Sequence, residues 1–71
     1  MMNYEILANA IVEQAAKDYR WARTALAKDA ENGSAAQMRS DTERFFRSAW
    51  FGQLTSLDGE WLLEKLEGEF A

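Results

Sequence analysis

The sequence predicts an all-α domain: a helical hairpin closed by a short third helix, assembled into an oligomer. Three observations carry this. Apolar residues recur with a period near 3.6, and no stretch alternates with the period of a strand. Proline is absent, and glycine falls at the joints, at Gly33, Gly52 and Gly59, with Gly68 near the end. The chain of 71 residues is one domain, 1–71, with no cysteine to staple it. A domain of that size buries only about 60% of its unfolded surface. Self-association is a common way for so small a fold to recover stability.

The first helix is predicted from about Asn3 to Ala30. Tyr4, Leu7, Ala8, Ile11, Val12, Ala15, Tyr19, Ala22, Ala25 and Leu26 make one stripe. Asn3 can cap its start, and Lys28 near its end suits the helix dipole. Its many alanines favour helix and permit close approach of a partner. Asn32-Gly33 then supplies left-handed backbone at the break.

The second helix is expected from Ser34, where Ser34-Ala35-Ala36-Gln37 reads as a capping box, to about Phe51. Ala35, Met38, Thr42, Phe45, Phe46 and Ala49 form its inner stripe. A second capping box, Ser40-Asp41-Thr42-Glu43, allows a break there, but Met38 and Phe45 fit one register and favour an unbroken helix. Phe51 falls on the other side of the wheel, so it is buried only if the helix ends and the chain turns back. Gly52 to Leu57 reads as a connection. Asp58 or Ser56 caps a short third helix to about Glu69, with Leu62, Leu63, Leu66 and Phe70 inward.

Composition excludes several chemistries. Histidine and cysteine are both absent, so zinc and haem sites built on them, and Ser-His-Asp or Cys-His catalysis, are ruled out. The acidic residues Asp58, Glu60, Glu64, Glu67 and Glu69 follow helical spacing rather than that of a calcium loop. They read as a solvated helix face. No cofactor is expected. The start lacks the basic region of a signal peptide, and no apolar run is long enough for a membrane span. A cytoplasmic protein without membrane attachment is the expectation. The net charge of −4 argues against general nucleic-acid binding, which phosphate neutralisation drives.

The segment FFRSAWF, residues 45–51, gathers aromatic rings around Arg47. Large apolar residues at helical spacing ordinarily pack as core. The arginines admit two readings. Arg39, Glu43 and Arg47 at i, i+4 and i+8 form a surface ion-pair ladder. Arg44 lies elsewhere on the wheel, and Arg20 and Arg23 stand one turn apart beside Tyr19 and the off-stripe Trp21. Guanidinium beside an aromatic ring is the pattern of a phosphate-plus-base site. A solvated basic face, its stems covering apolar surface, is the other account. The candidate ligand-binding set is therefore Arg20, Arg23, Arg44, Arg47, Tyr19, Trp21 and Trp50. Asp18 projects near the centre of the first apolar stripe. It needs a donor there, whether an arginine from the second helix, solvent at the end of the stripe, or a buried polar contact that fixes register.

AIVEQAAKDYRWA and ERFFRSAWFGQLTSLDGEWLLEKL resemble a group of short proteins encoded by phages and integrated elements of Gram-positive, often gut-dwelling, bacteria. The resemblance runs from about Ala10 to Leu66. It is carried most specifically by Asp18-Tyr19-Arg20, by Phe45-Phe46-Arg47-Ser48 with Trp50-Phe51, and by Asp58-Gly59-Glu60. It implies a mobile-element setting and no catalytic residues. Small proteins in that setting act by stoichiometric binding. The expectation is a non-catalytic anti-defence sponge that sequesters a nucleotide immune signal, of cyclic-dinucleotide or ADP-ribose type. The alternative is a protein-interaction module that inhibits or bridges a host or phage protein.

Overall fold

The computed structural model describes residues 3–70. They form four helices: α1 (Tyr4–Lys28), α2 (Gly33–Phe46), α3 (Ala49–Leu54) and α4 (Gly59–Gly68). The all-helical class is as expected; the number of helices is not, because the second helix breaks five residues early. Each start is set by a short polar side chain. Asn3 accepts from the Ile6 amide, Asn32 from Ala35, Ser48 from Phe51, and Asp58 from Glu60 and Trp61.

Two local expectations are corrected. Asn32, not Ser34, caps α2, so Ser34 sits inside the first turn. No glycine among the described residues has positive φ; Asn32 reaches its cap through extended backbone instead, at φ −67° and ψ 101°. The larger correction concerns FFRSAWF. The Ser48 hydroxyl donates to the Phe45 carbonyl at 2.7 Å and accepts from the Phe51 amide at 3.1 Å. One side chain thus closes α2 and opens α3. Gly52, expected in a connection, lies within α3.

Helix α1 packs mainly against α2 and more lightly against α3 and α4. Small side chains let the hairpin close tightly, for Ala22 and Ala35 are both fully buried. The core gathers Tyr19 of α1, Phe46 of α2, Phe51 of α3, and Leu63 and Leu66 of α4. Every helix contributes, which is how so short a chain assembles an interior at all. At the junction of α2 and α4 the backbones nearly touch. A Cβ on Gly59 would stand 1.8 Å from the Phe46 carbonyl oxygen, so only glycine fits there.

The first stripe is not buried along its whole length. Helix α1 outruns α2, leaving Tyr4, Ile6 and Leu7 exposed at its N-terminal end. Tyr4 still hydrogen-bonds the Gln53 carbonyl, tying that end to α3.

Candidate functional site

The seven predicted residues do not meet at one place. They separate into a group on α1 and a group on α2 and α3. On α1 the 100° step between residues points Tyr19, Arg20 and Trp21 in three directions. Tyr19 is sealed in the core, with no face of its ring open to a ligand. Burial holds its phenol above its ordinary pKa, more than Arg23's hydrogen bond and charge lower it. Trp21 points to solvent.

The two arginines of α1 hold the end of α4. Arg20 donates Nε to Glu69 Oε1 at 2.8 Å and Nη2 to Oε2 at 3.1 Å, a two-pronged pair. The Glu69 carboxyl is held below its ordinary range, chiefly by that hydrogen bond. Arg23 donates Nη1 to the Tyr19 hydroxyl at 2.8 Å, and its guanidinium lies 5.3 Å from the Phe70 ring centroid. Both therefore have partners that the fold itself requires.

On α2 the expected ladder forms. Arg39 approaches Glu43 at 3.3 Å, and Arg47 approaches the same carboxylate at 3.9 Å. Arg47 also donates Nε to Glu60 at the start of α4. Arg44 projects into solvent, with Asp41 at 3.8 Å. Arg44 and Arg47 line one open depression with Ser40, Glu43 and Ser48. Arg44 continues into a neighbouring one with Asp41, Phe45, Ser48 and Trp50. Part of the candidate set, Arg44, Arg47 and Trp50, is thus contiguous. Two of its donors are nevertheless engaged, Arg47 Nε by Glu60 and the Ser48 hydrogen by Phe45, while Arg44 has only the loose approach to Asp41.

A different feature has the form of a binding site. Between α1 and α2 runs an open groove of about 350 Å³, lined by Ile11, Gln14, Ala15 and Asp18 on one wall and by Met38, Asp41, Thr42 and Phe45 on the other. Trp50 of α3 stands at its margin, 53% exposed, with its ring edge-on to Phe45 at 5.4 Å between centroids. The Thr42 hydroxyl is turned back to the carbonyls of Met38 and Arg39. Exposed apolar surface of this kind marks interaction sites more often than does a scattered leucine.

Two carboxylates are the charged members of this lining, and the same device orients each. Gln14 donates Nε2 to Asp18 Oδ1 at 2.9 Å, and Gln37 donates Nε2 to Asp41 Oδ1 at 2.8 Å. Both donors lie one turn before their acceptor. Asp18 therefore finds its donor in its own helix, not in an arginine of α2, and it stays half-exposed. Sequence reasoning placed Ile11, Met38 and Phe45 on buried stripes and so passed over the groove. The repeated Gln-to-Asp spacing of four residues was the available signal.

Among the described residues no helix is long and apolar enough to cross a membrane. No three Asp or Glu side chains among them come together in a way that could hold a metal ion. Comparisons of the chain with family models, curated proteins and solved structures returned no match.

Proposed function

We propose that this chain is a non-catalytic protein-interaction module of a phage or mobile element, which inhibits or bridges a host or phage protein through the α1/α2 groove. One observation carries the reading: the groove and Trp50 present apolar surface that the fold leaves uncovered. The nucleotide alternative would instead recruit arginines already paired with the chain's own acids. The mobile-element setting comes from the resemblance of DYR, FFRSAWF and DGE to short phage proteins. The oligomer expected from the chain's size is a separate proposal, which light scattering tests.

A photo-crosslinking amino acid placed at Trp50 or Ile11, in a Gram-positive bacterial host, tests the groove. The expected outcome is a discrete adduct with one protein from both positions, and none from Glu31 in the exposed turn between α1 and α2. No adduct from position 50 or 11 overturns the reading.

Nucleotide sequestration keeps one supporting observation, the contiguity of Arg44, Arg47 and Trp50 around the shared depressions. A ligand at 100 times its Kd stabilises the folded state by about 2.7 kcal/mol. A thermal-shift screen with cyclic dinucleotides and ADP-ribose derivatives therefore decides the matter. A shift that disappears in Arg44→Ala and Arg47→Ala would replace the protein-interaction reading with this one.

A further inference from the structure

We infer that the occupant of the α1/α2 groove is an amphipathic helix of a partner protein that carries lysine or arginine beside its apolar anchors. This deepens the protein-interaction reading and rests on it. Charge complementarity points to such a partner. The groove is apolar along its floor, its charged lining residues are Asp18 and Asp41, and no cation lines it. Each carboxylate is held at Oδ1 by a glutamine, and Oδ2 of each has no hydrogen-bond partner among the described residues. Arg44, from the neighbouring depression, approaches that same Oδ1 of Asp41 at 3.8 Å, beyond hydrogen-bond distance, and leaves Oδ2 open.

The two carboxylates also stand at one level of the groove. Asp18 lies ten residues before the end of α1, and Asp41 eight residues after the start of α2. At 1.5 Å per residue these are nearly equal heights above the turn, about 15 and 12 Å. Met38 lies nearer the turn than either, and Ile11 lies farther from it. From Ile11 to Asp18 is about 10 Å of helix axis, two turns. A docked helix that seats apolar side chains at i and i+3 or i+4 near Ile11, Phe45 and Trp50 brings a residue one or two turns away between the carboxylates. A cation there gains partners, whereas an acidic residue is repelled. A second copy of this chain, itself of net charge −4, brings no comparable excess of cations to the two carboxylates.

Two synthetic helical peptides of 14 residues, identical in apolar pattern, test the inference. One carries lysine at the flanking positions and the other glutamate, and each bears a fluorescent label for anisotropy. The lysine peptide is expected to bind, at least about tenfold more tightly than the glutamate peptide at low salt. Asp18→Asn with Asp41→Asn, isosteric and on half-exposed or exposed side chains, is expected to weaken it about tenfold with helicity unchanged. Raising the salt should narrow the gap. Equal binding of both peptides, or no binding of the lysine peptide, overturns the cationic partner while crosslinking from position 50 still upholds the groove. Concentration-dependent dimerisation abolished by Trp50→Ala also overturns it, in favour of a second copy. Absence of any crosslink is the separate result that removes the protein-interaction reading itself.

Discussion

Phe46 and Phe51 are sealed, Phe45 is half-buried and Trp50 is open, although all four belong to one cluster of rings. Phe45 touches the other three, at centroid distances between 5.4 and 5.7 Å. On an unbroken helix Phe46 and Trp50 would share a face and Phe51 would point elsewhere. Ser48 breaks the helix and reverses that pairing. Phe51 joins Phe46 in an edge-on contact at 5.6 Å inside the core, and Trp50 is left at the groove. Hydrophobicity therefore does not decide which aromatics become interior and which become surface. One capping hydroxyl does.

The comparison breaks most sharply under truncation. Phe46→Ala is expected to cost about 3–5 kcal/mol, the range for a large aromatic lost from a packed core. A domain of this size has a total stability of only about 4–11 kcal/mol, so a substantial share of that margin goes. Trp50→Ala should cost less than about 1 kcal/mol, because its ring is half in water already. Urea denaturation of the two variants measures both values. Equal losses would mean that Trp50 is as much a core residue as Phe46, and that the division of the cluster is wrong.

Glycine gives the next test, again by contrasting sealed and open positions. Gly59→Ala forces a Cβ against the Phe46 carbonyl, and neither backbone can yield cheaply. The expected loss is about 1–3 kcal/mol, as for overpacking elsewhere. Gly52→Ala meets no atom within 4 Å in the interior of α3. It should stabilise by about 0.4–1 kcal/mol through the unfolded chain. Opposite signs of the change in denaturation midpoint, at constant slope, are the expected result.

Periodicity made the helices legible; Asn3 and, of the two caps offered, Asp58 marked starts that the structure keeps, while α1 ends at Lys28, two residues before the expected Ala30. Ser48 was harder to read, because a serine within an apolar run carries no cap signature unless the turn after it is already known. The ligand set failed to assemble for a related reason. Spacing shows which side chains share a helix face, but Arg20 and Arg23 find their partners 40 or more residues away or in the core, at Glu69, Phe70 and Tyr19. The groove stayed hidden because an apolar stripe does not record whether a third layer covers it. Asp18 on that stripe was the one visible irregularity, and the structure places it on the groove wall.

The smallest expected effect separates the clamped end of the molecule from the open groove by pH. Arg20 holds the Glu69 carboxyl below its ordinary range. A carboxylate depressed in the folded state adds stability above its unfolded pKa, near 4.3, and loses it as pH falls through the lower folded value. The pair is solvent-exposed, so the contribution is modest and salt-sensitive. Glu69→Gln should therefore lower Tm slightly at pH 7, and the gap to the parent protein should close in acid. Two-dimensional NMR of the Glu69 side-chain carboxyl reads the same titration directly. With Arg20→Ala the Glu69 titration should return upward toward the usual carboxylate value, while binding of the lysine peptide at the groove stays unchanged. A parallel loss of peptide affinity in that variant would mean that the two ends are coupled through α1, and that the groove is shaped by the clamp.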